Sequence, residues 1–372
     1  MTPWKAARPG DPVGAIDTPA LVLDLDAFER NLARMAEALR GSGVRLRAHA
    51  KCHKTPEIAR RQIALGAAGI CCQKVSEAAV FVEAGIADVL VTNQVMGETK
   101  LRHLASLARK ARMGVLVDHP RQVEALSAVA EAEGVTLDVY VEVNVGANRC
   151  GVAPGEEAVR LALQVADGAP QLRFMGLHCY HGPAQHLRAP EERAAAIAGA
   201  VEAARTTRAA IEACGVAVER VTGAGTGSFP HERDSGVFNE IQAGSYVFMD
   251  RDYGDNRRGE GDVAFEHALF VRTTVLSRAT AERAVVDAGL KASSVDSGMP
   301  TVWQRPELRY VKAADEHGVL ATPDAAALAL GDALMLVPGH CDPTVNLYDE
   351  LVCVRGGRVE ALWPIAARGA LL

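Results

Sequence analysis

The sequence lacks the segments that would place the chain in a membrane or mark it for export. No apolar run in its 372 residues approaches the roughly 20 residues that a helix needs to cross a bilayer. Residues 1–10 contain no apolar stretch like the central region of a signal peptide. None of the eight cysteines forms a Cys-x-x-Cys pair, and together they are typical of small buried side chains in a reducing compartment. We therefore expect a cytoplasmic protein without disulfides.

Two further absences narrow the classes of partner and fold. The net charge of −6 comes from intermixed acidic and basic residues, which argues against a nucleic acid or an anionic membrane as partner. No Gly-x-Gly-x-x-Gly opens a helix after the first predicted strand, which weakens the case for a dinucleotide-binding fold.

A regular alternation of strand-like and helix-like segments occupies the first two thirds of the chain. The strand-like runs are apolar and lack hairpin turns, a pattern typical of parallel strands covered on both faces. Strands are predicted at 44–50, 69–73, 88–92, 113–118, 136–144, 173–180, 218–223 and 240–246. Helices are predicted between them at 56–65, 76–84, 98–111, 120–133, 155–167 and 191–213. Eight such strands predict an α/β fold, a (β/α)8 barrel of the TIM type, with a doubly wound open sheet as the alternative.

The helical periodicity fades after about residue 260. Later strands are predicted at 265–276 and 284–290, and a hairpin with a Gly-Gly turn is predicted at 351–363. We therefore predict a barrel domain at 20–260 and a mostly β domain at 261–372. We expect residues 1–19 to pack with the β domain and form part of it.

The most informative stretch follows the first barrel strand. Apolar and polar residues alternate up to His49, and Lys51 then stands where the strand ends, before a helix that begins at Pro56. Barrel enzymes carry their reactive groups at the carboxyl ends of the strands. A lysine held there beside other cations, and partly out of water, has a lowered pKa and can form a Schiff base. A solvated lysine at a strand end is the alternative.

Two glycine-containing loops would face Lys51 across such a barrel. Gly223-Ala-Gly-Thr-Gly-Ser228 follows the seventh strand, and Gly244-Ser245 follows the eighth. The loops after these strands commonly bind phosphate through backbone N–H groups. The loops predict a phosphorylated cofactor bonded to Lys51, although tight turns alone also need glycine. Other polar residues predicted at strand ends are Gln73, Asn93, Asp118, Asn144, Arg149, Tyr180 and His181.

A histidine and an aspartate near the end of the chain form a second chemical feature. His340 and Asp342 are separated by one cysteine, so an extended backbone would place both side chains on one face. Imidazole and carboxylate ligands suit Mn²⁺ or Mg²⁺, and Zn²⁺ could also bind. The alternative is a turn in which Asp342 caps the backbone. His186 and the Asp315–His317 cluster are weaker candidates, because isolated polar loop residues are common without a function.

These residues and their surroundings match a known family. The matching motifs lie at 45–54, 71–77, 148–152, 222–228, 242–250, 287–291, 315–318 and 340–343. By these motifs the chain resembles the D-threonine aldolase and 3-hydroxy-D-aspartate aldolase group, which is related to eukaryotic-type D-serine dehydratases. The group consists of pyridoxal-phosphate enzymes with the alanine-racemase fold. The resemblance extends from about residue 18 to residue 369.

The resemblance implies a role for each candidate residue. Lys51 would carry the cofactor as a Schiff base, Arg149 would contact its phenolic oxygen, and Tyr180 would lie beside its pyridine nitrogen. His340 and Asp342 would bind the metal. The other predicted cofactor contacts are Gln73, Thr222, Gly223, Gly225, Thr226, Gly244, Ser245 and Tyr246. The residues implied to lie near the substrate are His186 and Asp315.

The metal motif separates the branches of this family. D-Serine dehydratases have a cysteine at the position of Asp342, whereas the aldolases have the aspartate. The resemblance therefore implies a lyase that cleaves a D-β-hydroxy amino acid to glycine and an aldehyde, using pyridoxal phosphate and a divalent metal, foremost Mn²⁺. D-Threonine would release acetaldehyde, and 3-hydroxy-D-aspartate would release glyoxylate. A homodimer acting on this small molecule is also implied.

Three other activities stay open at this point. A dehydratase acting on D-serine or 3-hydroxyaspartate would expel the hydroxyl group as water. A racemase would need no metal pair but would need a base on the opposite face of the cofactor, for which Tyr310 and Tyr348 are available. A non-catalytic pyridoxal-phosphate carrier would need the barrel alone, so the second domain argues against it.

Overall fold

A closed barrel of parallel strands is followed along the chain by a mostly antiparallel sheet. A computed structural model describes residues 5–168, 170–323 and 327–372, so that residues 1–4 of the predicted N-terminal segment lie outside the described residues. The strands are β1 (Ala20–Asp24), β2 (Arg45–His49), β3 (Gly69–Cys72), β4 (Asp88–Gln94), β5 (Arg112–Val117), β6 (Leu137–Glu142), β7 (Leu172–Cys179), β8 (Arg220–Gly223), β9 (Glu240–Ile241), β10 (Leu269–Thr280), β11 (Arg283–Val286), β12 (Thr301–Val302), β13 (Arg309–Ala313), β14 (Gly318–Ala321), β15 (Ala333–Val337), β16 (Glu350–Arg355) and β17 (Arg358–Pro364). The helices are α1 (Leu25–Leu39), α2 (Pro56–Ala64), α3 (Val75–Glu83), α4 (Glu98–Leu107), α5 (Pro120–Glu133), α6 (Glu156–Gly168), α7 (Pro190–Ala213), α8 (Phe229–Arg233), α9 (Arg251–Gly254) and α10 (Cys341–Val345).

Strands β2 to β9 form the barrel in sequence order. Each pairs in parallel with the next, and β2 closes on β9 through the pairs Arg45–Glu240 and Leu46–Ile241. The prediction of a (β/α)8 barrel is confirmed, and closure excludes the open sheet. The eighth strand is shorter than predicted, because the chain leaves the ladder after Ile241 and turns into a 3-10 helix at Ser245–Val247.

The barrel interior is charged at its amino-terminal end. The guanidinium group of Arg47 is buried between Glu240, at 3.0 Å, and Asp88, at 2.6 Å. Because side chains alternate along a strand, the inward direction of Arg47 also turns His49 inward, two residues nearer the carboxyl end. Between the two ends lies a small apolar layer. Its residues are Cys71, Leu90, Leu116, Tyr140 and Met175.

The second sheet includes the start of the chain. Its main strand order is β13-β14-β11-β10-β1-β16-β17, so that β1 lies between β10 and β16. The segment that joins this sheet therefore extends to Asp24, beyond the residues 1–19 that we assigned to it, and the exact domain bounds stay a prediction. The hairpin of β16 and β17 turns at Gly356 and Gly357, whose φ angles of +55° and +77° suit a two-residue turn.

Two features of the structure bear on the cellular location of the protein. Among the described residues, no helix is both long enough and apolar enough to span a bilayer. All eight cysteines are free thiols, and six of them are buried.

Candidate active site

A cavity lies at the carboxyl ends of the barrel strands and is lined by both domains. The predicted residues that line it are Lys51, Gln73, Arg149, Tyr180, His186, Gly225, Thr226, Gly244, Ser245, His340 and Asp342. The side chains meet there because parallel strands direct all their carboxyl ends to the same side of the barrel. The predicted residues that do not line it are Thr222, Gly223, Tyr246 and Asp315.

Lys51 lies in a single 3-10 turn directly after β2. Its backbone N–H donates to Nδ1 of His49, and its Nζ lies 3.5 Å from Oδ2 of Asp342. Burial is the largest single effect on the pKa of the Lys51 ammonium and lowers it, but Asp342, Tyr180 and Cys52 together outweigh burial, and the net pKa shift is upward. Our expectation of a lowered pKa is wrong for the chain by itself, because the neighbouring Asp342 carboxylate raises the pKa more than the Arg149 guanidinium lowers it.

His49 is one of several cavity residues that the sequence analysis did not identify. Its Nε2 lies 3.0 Å from Oγ1 of Thr92, and the Thr92 hydroxyl donates to the carbonyl oxygen of Cys72. His49 must therefore donate through Nε2, while Nδ1 accepts from Lys51. Burial lowers the pKa of His49 well below its usual value, which agrees with a neutral ring. In the sequence, its position two residues before Lys51 was the signal that could have indicated a place in the active site.

A second buried histidine, His178, also lines the cavity. Its Nε2 lies 3.2 Å from Oε1 of Gln242, and its Nδ1 lies 3.6 Å from Oε1 of Glu142. Although burial raises the pKa of Glu142, its interactions with His178, Gln94 and Arg149 together bring the net value below the usual range. Gln242 in turn donates to the hydroxyl of Thr222 at 2.9 Å. Thr222 therefore orients Gln242 instead of facing the cavity.

The two glycine loops approach their neighbours so closely that an added Cβ would force a neighbouring group to shift. A Cβ at Gly244 would lie 2.5 Å from the carbonyl oxygen of His49, and one at Gly225 would lie 2.4 Å from Oε1 of Gln185. The buried hydroxyl oxygen of Thr226 lines the cavity and has no hydrogen-bond partner among the described residues. Unpaired donors and closely packed backbone are what a bound phosphate needs, so the loops fit the phosphate of the implied cofactor.

The other predicted residues outside the cavity have different local roles. A Cβ at Gly223 would lie 2.2 Å from the carbonyl oxygen of Cys179, so this glycine allows β8 to approach β7. The Tyr246 hydroxyl accepts a hydrogen bond from Gln62 at 3.1 Å, so its side chain faces away from the cavity. Asp315 is exposed in the turn between β13 and β14.

His340 and Asp342 come together although the backbone is not extended throughout. His340 precedes α10 in an extended conformation, and Asp342 belongs to the helix. The distance of 4.0 Å between Nε2 and Oδ1 is too long for a hydrogen bond. It is within the span of about 4.4 Å that two ligands of one divalent ion can reach. Burial raises the pKa of the Cys341 thiol well above its usual value, so Cys341 stays protonated and the donor set is nitrogen and oxygen.

The residue that caps α10 is Asp250, and the alternative that Asp342 has this role is wrong. Asp250 accepts the backbone N–H of Cys341 at 2.9 Å through Oδ2. Its Oδ1 accepts the N–H of Tyr253 at 3.0 Å and so caps α9 as well. Burial raises the pKa of Asp250 to about 6. A sequence can indicate the local cap, but the bond to a helix 91 residues away depends on the tertiary structure.

His186 lines the same cavity as His340 and Asp342 and is oriented by a carboxylate. Its Nδ1 lies 2.6 Å from Oδ2 of Asp252, which also forms an ion pair with Arg188. Burial lowers the pKa of His186, and Asp252 offsets only part of this shift. A neutral His186 that donates through Nδ1 has a free lone pair on Nε2, and this nitrogen could accept a proton.

A separate group of possible metal ligands consists of two carboxylates and a thiol. The ligand atoms of Asp118, Glu142 and Cys150 lie within 4.8 Å of one another. Asp118 already accepts the N–H of Gly151 at 3.0 Å, and Glu142 interacts with Gln94 and with His178. These existing partners favour a structural role for the group.

The fold and the site first define a class, that of barrel proteins related to alanine racemase. A family model described as "Alanine racemase, N-terminal domain" matches residues 23–252, and one described as "Putative serine dehydratase domain" matches residues 268–354. The barrel and the sheet domain thus match two different models.

Individual relatives narrow the class to a family. A D-threonine aldolase from Arthrobacter sp is 48% identical, over 98% of this chain and 96% of that protein. A 3-hydroxy-D-aspartate aldolase from Paracoccus denitrificans is 46% identical, over 98% and 95%. The crystal structure of a D-threonine aldolase from Filomicrobium marinum is 53% identical and superposes with a TM-score of 0.97, covering 99% of this chain and all of that one. The chain belongs to this family of D-threonine and 3-hydroxy-D-aspartate aldolases, which implies pyridoxal phosphate as cofactor.

Replacement of Gly244 by alanine tests the fit of the cofactor loops. The added Cβ would collide with the His49 carbonyl and displace the turn that carries Lys51. Overpacking of this kind costs about 1–3 kcal/mol, so we expect the Kd for pyridoxal phosphate to rise roughly tenfold. Cofactor titration followed by visible absorbance measures this. Gly199→Ala is the matched control, because nothing lies within 4 Å of a Cβ there. Equal affinity in both variants would contradict the interpretation.

Proposed function

We propose that the chain is a pyridoxal-phosphate- and divalent-metal-dependent aldolase that cleaves D-β-hydroxy amino acids to glycine and an aldehyde. One observation carries the proposal. Asp342, next to the His340 imidazole in the β domain, lies 3.5 Å from Nζ of Lys51 at the barrel mouth. A carrier built on the barrel alone would have no use for this pair.

The cofactor would be held by residues of the barrel. Lys51 supplies the amine, and the loops at Gly225, Thr226 and Gly244 supply donors for the phosphate. Pyridoxal phosphate, when bound, supplies an electron sink for the charge left on Cα when a bond to it breaks.

Arg149 and Tyr180 form one wall of the cavity. The guanidinium carbon of Arg149 lies 6.0 Å from the ring centroid of Tyr180. Burial raises the pKa of the Tyr180 hydroxyl despite the nearby cations, so the phenol stays neutral. A neutral Tyr180 beside the pyridine nitrogen would leave the ring less electron-withdrawing than a carboxylate would, and Arg149 would face the phenolic oxygen.

His186 is the proposed base for the β-hydroxyl group of the substrate. His340 and Asp342 would hold a divalent ion, which would supply Lewis-acid chemistry that lowers the pKa of the β-hydroxyl group. His186 accepts the hydroxyl proton at Nε2, since Asp252 occupies Nδ1. The O–H electron pair then forms the C=O bond of the aldehyde while the Cα–Cβ bond breaks. Cα finally takes up a proton, which yields glycine.

The competing activities fit the site less well. A D-threo-3-hydroxyaspartate dehydratase from Delftia is a more distant relative, at 31% identity. The two tyrosines considered as racemase bases already have partners, because the hydroxyls of Tyr310 and Tyr348 donate to the carbonyls of Ala288 and Ala292 at 2.8 and 2.7 Å. Neither tyrosine lines the cavity.

The two candidate substrates differ in that 3-hydroxy-D-aspartate has a second carboxylate, which a cation in the site would bind. A second opening reaches the metal pair and is lined by Lys54 and Lys74 as well as by His340 and Asp342. Lys54 is paired with Glu77. No ion pair of Lys74 occurs within the described residues. Lys74 therefore favours 3-hydroxy-D-aspartate as the better substrate, since D-threonine has a methyl group in place of the second carboxylate.

The homodimer implied by the resemblance and the cytoplasmic location expected from the sequence stay proposals. Asp315 lies outside this chain's cavity, so a place near the substrate would require a second copy of the chain. The mass of the holoenzyme in solution tests the homodimer. The free thiols support a cytoplasmic location.

Turnover of D-threonine and of 3-hydroxy-D-aspartate, each with Mn²⁺ and with a chelator, tests the proposed reaction. We expect metal-dependent glycine together with acetaldehyde or glyoxylate. Lys51→Ala should lose both the visible absorbance of the cofactor and the activity, because the amine that bonds it is absent. A 2-oxo acid without glycine would mean a dehydratase, and full activity after thorough metal removal would exclude the metal role.

Replacement of His186 by asparagine tests the base. Loss of a general base typically lowers kcat by about 10²- to 10⁴-fold, and we expect a fall in this range. Cofactor absorbance and Mn²⁺ binding should be unchanged, since neither depends on this ring. His103→Asn, at an exposed position of α4, is the control. Unchanged kcat in His186→Asn would assign the proton transfer to another group.

Replacement of Lys74 by methionine tests the substrate preference. We expect KM for 3-hydroxy-D-aspartate to rise roughly tenfold, as for loss of a charged hydrogen bond, with little change for D-threonine. Lys74→Arg should retain most of the preference, because the charge is kept. An equal effect on both substrates would show that Lys74 does not distinguish them.

A further inference from the structure

Asp296 belongs to a loop of the β domain that has no part in the mechanism described so far. Its Oδ2 lies 2.8 Å from Nδ1 of His340. On the other side of the same ring, Nε2 lies 4.0 Å from Oδ1 of Asp342. The imidazole therefore lies between two carboxylates, one at hydrogen-bond distance and one at a distance that a shared metal ion would span.

The Asp296 carboxylate is itself held in place by its neighbours. Ser294 donates its hydroxyl to Oδ1 at 2.7 Å, and Ser297 donates its hydroxyl to Oδ2 at 3.2 Å. These bonds matter because 51% of the Asp296 side chain is exposed. An untethered surface carboxylate rarely fixes the orientation of its partner, whereas a tethered one can.

The loop and the metal motif are also joined through their backbones. A Cβ at Gly339 would lie 2.0 Å from the carbonyl oxygen of Gly298, so a glycine is needed where the two segments touch. The hydroxyl of Thr344 donates to the carbonyl of His340 at 2.8 Å and accepts a backbone N–H of the loop at 3.1 Å. The contact is therefore part of the domain's packing and not a chance meeting of two surface side chains.

We propose that Asp296 is a positioning residue for the metal. It accepts the Nδ1 proton of His340 and so holds the ring in the tautomer and orientation that leave Nε2 free for a divalent ion shared with Asp342. Metal-binding histidines commonly donate their other N–H to a carboxylate, and loss of that partner typically weakens metal binding by about 10- to 100-fold. The inference rests on the proposed function, because it assumes that His340 and Asp342 bind the ion.

Direct measurement of Mn²⁺ binding tests this role. The pyridoxal-phosphate-loaded protein is stripped of metal with a chelator and titrated with Mn²⁺, with calorimetry and the electron paramagnetic resonance of free Mn²⁺ as readouts. Asp296→Ala is expected to raise the Kd for Mn²⁺ by about 10- to 100-fold. Asp296→Asn should have a smaller effect, because its amide oxygen still accepts the hydrogen bond. The cofactor absorbance and the Tm of the metal-free protein should stay as in the wild type.

Two further variants separate this inference from the proposed function. Asp349→Asn, at an exposed carboxylate of the same domain that pairs with Arg368, should leave the Kd unchanged. His340→Ala should abolish Mn²⁺ binding and so establish the metal site independently of Asp296. Wild-type affinity in Asp296→Ala, with binding lost in His340→Ala, would overturn the role of Asp296 alone. Absence of Mn²⁺ binding in the wild type would overturn both proposals. A structure of the Mn²⁺ holoenzyme with the ion on Nδ1, or on Asp296 itself, would also overturn the role of Asp296.

Discussion

The buried carboxylate of Asp250 is the interaction on which the active site depends. It caps α9 and α10 at once, although the two helices belong to different parts of the chain. Short helices have few hydrogen bonds of their own, so the group that satisfies their first N–H groups decides where they begin. Two further backbone hydrogen bonds run from the start of α9 to the loop before His340. Together these contacts hold His340 and Asp342 beside Lys51.

A second constraint comes from the barrel interior. The Arg47–Glu240 ion pair is buried, and such a pair is stable only when both partners and their register are kept. Because residues alternate along β2, this register also directs His49 inward, where it lines the cavity. His49 then accepts the backbone N–H of Lys51 and fixes the turn that carries the reactive amine. The position of Lys51 thus follows from charges buried at the other end of the barrel.

Much of the fold and part of the site could be predicted from local sequence. The alternation of apolar runs predicted the barrel strands within a few residues, because strand and helix periods are properties of neighbouring residues. Lys51 and the glycine loops were found because reactive groups and phosphate sites recur at the carboxyl ends of barrel strands. The sequence did not reveal that Tyr246 faces Gln62, or that Thr222 orients Gln242, because these partners are distant along the chain.

The sequence by itself determined the strand and helix pattern, the residues at the strand ends and the motifs that indicate the family. These depend on local period and on residue type, and neither needs the folded chain. Only the tertiary structure decided which side chains meet. It placed Asp342 beside Lys51, where the carboxylate contributes most to raising the lysine's pKa, and it placed Asp296 at Nδ1 of His340. Both contacts join segments far apart in sequence, and electrostatic and hydrogen-bond energies depend on distances that exist only once those segments have packed together.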